Sequence, residues 1–386
     1  MRVLHIFTVF TTPKAFFDGQ FRFLSERGFE QHLITSDAED RDFCARNNIT
    51  YHRAPLARRI DLRADLKAIL DVRRYIKTND IDTVVGHTPK GAMVAMIAAW
   101  MARVPRRVYY RHGLVYTTAS GLKRVVLKSV ERLTALLATD IVNVSPSLSA
   151  LAVKDSLNSA RKQRIFGAGT CGGIDARAVF NPANVALEET AALRQKYRIG
   201  ESDFVAGFCG RLCRDKGIIE LVEAFRLFRD AHPGIKTKLL LAGPYDKRDI
   251  LPTETKEAIE TDPDIIYTGQ LPQSALPAHY MLMDVFVFPS HREGFGMTVI
   301  EASAMERPVL VSKAHGCVDT IVPDTTGRYI GNKPEEISAG LSDMLDSPLR
   351  TRLGAEGRKH VLKNFDHTVL RPIIANFYKN LSRTNI

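Results

Sequence analysis

The chain of 386 residues has no apolar run long enough to cross a bilayer. Its longest small-and-apolar stretch, "GAMVAMIAAWMA" at residues 91–102, falls well short of the ~20 residues a spanning helix needs. A signal peptide's layout is missing too, because Met1-Arg2 leads straight into "VLHIFTVF", which reads as a first strand. A protein made and kept in the cytosol is expected. Cysteine is sparse: Cys44, Cys171, Cys209, Cys213 and Cys317 are scattered and odd in number. Cys209 and Cys213 lie four apart, but no second pair or nearby histidine completes a metal set, so reduced, packed thiols and no structural metal are expected. No repeat or low-complexity tract occurs, and the Walker pattern of a P-loop is absent.

What the chain does have is an uneven charge. Residues 1–180 carry 28 Lys+Arg against 16 Asp+Glu, a balance of +12, whereas the other 206 residues carry 26 against 27. A basic half beside a neutral one implies an acidic partner for the first: anionic membrane surface, a diphosphate substrate or nucleic acid. Cations concentrate at Arg53, Arg58, Arg59 and Arg63, at Arg103, Arg106 and Arg107, and at Lys123, Arg124, Lys128 and Arg132. The last group lies in "GLKRVVLKSVERLTALLA", an apolar-periodic helix that either rests on a membrane or presents a solvated face.

Length makes two domains the natural expectation. Strand and helix patterns alternate through both halves. In the first, strands are read in "VLHIFTV", "EQHLITS", "IDTVVGHT", "RRVYYRHG" and "DIVNVSPS", with helices through "GQFRFLSERG" and around 61–78, 91–102 and 122–138. In the second, strands are read in "DFVAGFCGRL", "KTKLLLAGP", "DIIYTGQL", "VFVFPS" and "PVLVSK", with helices at 216–231, 253–260, 274–283 and 297–306. This predicts an α/β protein: two doubly wound, Rossmann-like domains, residues 1–180 and 181–365, facing each other across a cleft. The linker is placed in "FNPANVALEE", and residues 366–386 form a helix expected to pack back on the first domain.

The chemistry gathers at strand ends, where such sheets bind ligands. "HREGFGMTVIEASA" puts Glu293 and Glu301 eight positions apart around a glycine-flanked Phe, after a strand closing at Pro289 and at the start of a helix. Such a turn aims backbone amides at a crevice, where the helix dipole favours an anion. Glu301, about two turns in, would repel a phosphate, so it suits hydroxyls such as those of a ribose; an ordinary solvated carboxylate is the alternative. "GRLCRDKG" places Arg211 and Lys216 five apart on a loop, where both can reach one diphosphate.

Together these segments resemble the retaining glycosyltransferases of the GT-B fold, family 4, over nearly the whole chain. "GRLCRDKG" is similar to that family's diphosphate-binding loop, and "EGFGMTVIE" to its pair of glutamates separated by seven residues. "HGCVDTIVPDTTGRYI" is similar to its segment after the following strand. "GHTPKGAMVAMIAA", "YYRHGLVY" and "GAGTCGGID" resemble a bacterial branch that builds surface polysaccharides or lipid-linked oligosaccharides. The resemblance implies that Arg211 and Lys216 hold the nucleotide diphosphate and neutralise it as it leaves. It implies that Glu301 binds the ribose hydroxyls and that Glu293 lies near the donor sugar. The amides of Phe295, Gly296 and Met297 would face sugar and phosphate, the backbone near Gln270 and Leu271 would meet the base, and His112 would reach the sugar across the cleft.

Breaking a glycosyl–phosphate bond develops positive charge on the sugar and negative charge on the diphosphate. Preorganised donors that stabilise such charge contribute ~3–4 kcal/mol each in other enzymes. With two fixed cations no metal or other cofactor is expected, and the nucleotide-sugar is itself the substrate. No carboxylate pair placed as in a hydrolase is evident. UDP is expected as the commonest nucleotide in the resembling branch, though no residue excludes GDP.

The first strand–helix loop, "FTVFTTPKAFFDGQ", departs from the family in carrying only Gly19 where a glycine pair is common. Thr8, Thr11, Thr12 and Lys14 are candidates to line the cleft there. His87, ending a strand, and Lys90, opening the next helix, either face an acceptor's phosphate or, for His87, are satisfied in the core. His5 and His32 lie inside strands and are read as structural, and His291 as a bystander. Three functions are weighed. The leading one is transfer of a hexose or N-acetylhexosamine to a polyprenyl-diphosphate-linked sugar, at the inner face of the membrane. A sugar-nucleotide 2-epimerase on the same fold is second. A basic nucleic-acid-binding protein is third, and it lacks interleaved aromatics and any reader motif. Oligomeric state is not legible.

Overall fold

Two parallel sheets organise the chain, one in each of two compact units: residues 1–173 with 368–386, and residues 174–367. The computed structural model describes residues 1–56 and 61–383, so Arg58 and Arg59 of the first basic group lie outside the described residues.

In the first unit β1 (Arg2–Ile6), β2 (Glu30–Thr35), β3 (Ile49–Arg53), β4 (Thr83–His87), β5 (Arg106–Arg111), β6 (Asp140–Asn143) and β7 (Gln163–Arg164) pair in the order β3-β2-β1-β4-β5-β6-β7. The order reverses between β1 and β4, which makes their carboxyl ends the natural binding crevice of this sheet. β4 is buried at all five residues, as a strand covered on both faces must be. Helix Pro89–Met101 packs straight onto it, and a Cβ on Gly86 would come within 2.7 Å of the Ala92 Cα. The helix Thr11–Phe16, the helix Arg41–Asn47 with β3, the helix Pro146–Lys154 and the two-residue β7 went unread in the sequence, being short and weakly periodic.

Helix Gly121–Leu137 is held by few residues. It buries only Glu131, Thr134 and Ala135. The Glu131 carboxylate accepts from the Tyr109 hydroxyl at 2.8 Å and lies 3.6 Å from the Arg111 guanidinium, itself fully buried. Arg107 donates to the Leu137 carbonyl at 2.7 Å and Lys162 to those of Leu136 and Ala138 at 3.0 and 2.8 Å. These cations complement the negative end of the helix dipole. Part of the basic excess is therefore structural. The outer face keeps Leu122 78% and Leu136 70% exposed, with Val125, Val126 and Leu133 between them.

In the second unit β8 (Phe204–Cys209), β9 (Thr237–Ala242), β10 (Ile265–Gly269), β11 (Val285–Phe288), β12 (Val309–Ser312) and β13 (Arg328–Ile330) pair in the order β10-β9-β8-β11-β12-β13. The reversal falls between β8 and β11. The units divide at Gly173/Ile174, not at 180/181. The reason is local: Ile174 N–H donates to Phe365 at 3.0 Å, His367 N–H to Ile174 at 2.9 Å, and Ala176 N–H to the Asp366 carboxylate at 3.1 Å. Residues 174–180 are thus bonded into the second unit. Helix His367–Arg383 buries Leu370, Ile374 and Tyr378 in the first.

Candidate active site

In the second unit the loops after β8, β11 and β12 nest against one another. Gly217, in the left-handed region at φ +71°, caps helix Ile218–Ala231, and a Cβ there would stand 2.3 Å from the Pro289 carbonyl oxygen. Gly316, at φ +80°, would carry its Cβ 2.5 Å from the Gly294 carbonyl oxygen. Only glycine permits both approaches. Side chains then tie the loops. Arg292 is ion-paired with Asp215, whose carbonyl accepts from His291 N–H at 2.9 Å and from the Ser290 hydroxyl at 3.1 Å. His291 bridges Glu220, at 3.0 Å, and Asn332, at 2.9 Å.

Within this frame the residues singled out in the sequence fall close together. Lys216 is ion-paired with Glu293, and both side chains are mostly buried. Glu293 Oε1 also accepts from the Ser290 hydroxyl at 3.1 Å, while Oε2 accepts no bond from a described residue. Arg211 is ion-paired with Asp246, whose side chain is mostly covered, and keeps 61% of its own side chain exposed. Burial works to raise the Asp246 carboxyl, but the amides of Arg248 and Asp249 and the Arg211 charge outweigh it and hold it below the usual range. Phe295 is buried against Phe365, ring centroids 5.3 Å apart, so the side chain anchors the turn and its backbone carries any contact. Met297 N–H donates to the Phe295 carbonyl at 3.0 Å, inside the turn.

Helix Met297–Ala304 begins at Met297, which makes Glu301 its fifth residue. The Glu301 carboxylate accepts from the Tyr280 hydroxyl at 2.8 Å. Burial pushes its pKa up from 4.5 to about 7, and the Tyr280 bond offsets only part of that. Such a displaced carboxyl marks a functional site more often than a solvated surface. Gln270 and Leu271 leave the end of β10, whose Gly269 carbonyl accepts from Gly243 N–H at 2.9 Å.

The first unit also gathers polar groups at the carboxyl ends of β1, β4 and β5. His112, one residue past β5, is half-buried, with Nε2 3.0 Å from His87 Nδ1 and Nδ1 3.3 Å from the Cys171 sulfur. Burial without a compensating partner lowers its pKa to about 3. Thr88 takes φ +60°, rare for a β-branched residue, and its hydroxyl lies 2.8 Å from that of Thr8. Thr11 is exposed at the first residue of helix Thr11–Phe16.

Three of the acceptor candidates already have partners within the first unit. His87 is fully buried with both ring nitrogens taken by His5 and His112, so it offers none to an acceptor's phosphate. Lys90 is ion-paired with the buried Asp65, and Lys14 with Asp40 at 2.5 Å. Sequence reasoning missed Tyr280, Ser290, Asp246 and Cys171. No local pattern marks them, because each acts through a partner far away in the chain.

Residues 189–360 match the family described as glycosyl transferases group 1, and residues 15–169 match the glycosyl transferase 4-like domain. The capsular polysaccharide biosynthesis glycosyltransferase CapM of Staphylococcus aureus is 31% identical over 98% of this chain and 96% of its own length. The putative glycosyltransferase EpsD of Bacillus subtilis is 25% identical over 94% and 92%. Among solved structures, a glycosyltransferase from Rickettsia africae superposes with a TM-score of 0.80 at 18% identity, covering 100% of this chain and 99% of that one. Anabaena Alr3699/HepE, crystallised with UDP-glucose, gives 0.80 at 16% identity, covering 98% and 100%. The fold shared with these is GT-B, two Rossmann-like domains.

Proposed function

The chain belongs to the group 1 glycosyltransferases, and from that premise we propose that it transfers a hexose or N-acetylhexosamine, with retention, from a UDP-sugar to a polyprenyl-diphosphate-linked sugar. The product serves a surface polysaccharide. The observation that carries this reading is the nest of Arg211, Lys216 and Glu293 at the β8/β11 reversal, with Glu301 on the adjoining helix. CapM, by its description, acts in capsule synthesis, and HepE binds UDP-glucose on the same fold.

The roles follow from charge. Arg211 and Lys216 bind the diphosphate, and Glu293 holds Lys216 in place while its unpartnered Oε2 accepts a hydroxyl of the donor sugar. Glu301 accepts the ribose hydroxyls. The backbone near Gln270 and Leu271 meets the base, and the N–H groups of Phe295 and Gly296 face sugar and phosphate. His112 receives a sugar hydroxyl. In the reaction the bond from the anomeric carbon to the phosphate oxygen breaks, and the diphosphate takes up the electron pair. The acceptor oxygen bonds to the same face of that carbon, and its proton passes to the departing phosphate oxygen. Two fixed cations stabilise the growing charge, so the step needs no metal.

The acceptor's lipid sets where the enzyme works. Among the described residues no helix is long and apolar enough to cross a membrane. Helix Gly121–Leu137 offers exposed leucines and valines beside the exposed Lys123 and Arg124, a face suited to an anionic bilayer surface. A screen of nucleotide-sugars with purified protein and a lipid-diphosphate sugar, read by mass, tests the whole reading. Addition of one hexose or N-acetylhexosamine mass to the lipid is the expected result. Release of UDP and free sugar with no acceptor present points instead to an epimerase.

A further inference from the structure

Four residues climb diagonally across neighbouring strands of the first sheet, each two places nearer the carboxyl ends than the one before. Gln31 on β2 pairs with Val3, two before His5 on β1; His5 pairs with Val85, two before His87 on β4; His87 pairs with Tyr110, two before His112. Period-two alternation puts all four on one face. The rings connect end to end: His5 Nδ1 to His87 Nε2 at 3.0 Å, and His87 Nδ1 to His112 Nε2 at 3.0 Å. His112 Nδ1 then meets the Cys171 sulfur at 3.3 Å. His87 lies parallel to Phe7, centroids 3.9 Å apart, and stacks on Tyr110 at 5.0 Å.

Around the rings stand Cys171, Tyr110, Tyr378, His32 and Gln31; no carboxylate, lysine or arginine bonds to any of the three among the described residues. Burial keeps all three neutral: His5 and His112 are lowered to about 3, and His87 well below its usual value. A neutral imidazole carries one proton, and each link needs one. Only two arrangements satisfy every link, all protons on Nε2 or all on Nδ1. The deep end chooses. His5 Nε2 and Gln31 Oε1 are both buried with no hydrogen-bond partner among the described residues, and Gln31, two positions away in register on β2, is the side chain whose hydrogen bonding acts on His5. A proton on His5 Nε2 offers that oxygen a donor; a bare Nε2 would leave two buried acceptors in one neighbourhood with no donor for either.

We propose that His5 and His87, set by Gln31, are positioning residues that fix His112 as its Nε2–H tautomer and so keep Nδ1 as the acceptor of a substrate hydroxyl. The hydroxyl takes over from the weak thiol contact of Cys171. This rests on the reading above, in which His112 receives a sugar hydroxyl, but the ring assignment is measured without substrate.

The test is ring-nitrogen NMR of the full chain labelled with ¹⁵N-histidine, at neutral pH and down to about pH 5. All three rings are expected as Nε2–H, without titration. Gln31→Leu, which touches neither His87 nor His112, is expected to shift His112 toward Nδ1–H. The same variant should lower transfer from the donor identified in the screen by up to about tenfold, the worth of one hydrogen bond, with its melting temperature above the assay range. His87→Phe keeps the stacked ring, removes both links and should shift His112 likewise. The proposal is overturned by an Nδ1–H His112 in the parent protein, by an unmoved tautomer in Gln31→Leu, or by a moved tautomer with parent-level transfer.

Discussion

Glu301 combines a displaced carboxyl with a proposed ribose contact, and Glu301→Gln separates the two. A carboxyl moved from 4.5 to about 7 binds its proton more tightly in the folded protein than in the unfolded chain. Stability is therefore lost as pH rises through that window. At ~1.4 kcal/mol per pH unit the cost reaches ~3 kcal/mol above pH 7, and it is below ~1 kcal/mol at about pH 5. Gln is isosteric and neutral and can still accept from the Tyr280 hydroxyl, so it removes the cost at high pH and little else. For a unit of this size each kcal/mol moves the melting temperature by ~2–4 °C. The variant should melt ~6–12 °C above the parent at about pH 8.5, and within ~4 °C of it at about pH 5. Its affinity for free UDP should fall at both, since an amide accepts ribose hydroxyls less well than a carboxylate. UDP affinity of the parent should itself rise as pH passes through about 7, because hydroxyl donors favour the ionised form. Calorimetry of both proteins at the two pH values decides it. The same melting difference at each pH, or a less stable variant at pH 8.5, would falsify the assignment of a costly buried charge.

Other outcomes follow from the same site. Arg211→Ala and Lys216→Ala should each lower transfer by ~10²-fold or more with the fold intact, as each removes a charge-assisted contact that strengthens while the phosphate leaves; steady-state rates at saturating donor check this. Glu293→Ala should lower transfer by far more than it changes UDP affinity, which shifts only through the released Lys216, whereas a Glu301 variant should lose mainly UDP affinity; titration calorimetry separates them. Transfer should survive excess chelator; complete loss restored by magnesium or manganese would contradict the two-cation account. Binding to vesicles rich in anionic lipid should fade with added salt. Lys123→Glu with Arg124→Glu should weaken it by ~30-fold or more, at ~1 kcal/mol per cation. Lys128 is a poorer target, because it already lies 3.5 Å from Asp155.

The sequence by itself determined the layers and the motifs. Apolar runs such as "VFVF" and "LLLA", separated by amphipathic helices, can be buried only as parallel strands covered on both faces. The glycine of "DKG" marks where backbone must approach backbone. Arg211, Lys216, Glu293 and Glu301 are legible because local spacing puts them at strand ends, and a strand end in a doubly wound sheet is a ligand site. Tertiary structure decided what those residues touch. Lys216 and Glu293 are 77 positions apart and meet only because β8 and β11 are neighbours. The basic excess is only a count and three clusters in the sequence; packing turns Arg107 and Lys162 onto a helix end and leaves Lys123 and Arg124 outside. His5, His87 and His112 carry no common local signal, and strand register alone makes them a row. Side-chain chemistry is written in the sequence, but a hydrogen bond depends on which strands lie side by side and in what register, and that is a property of the folded sheet.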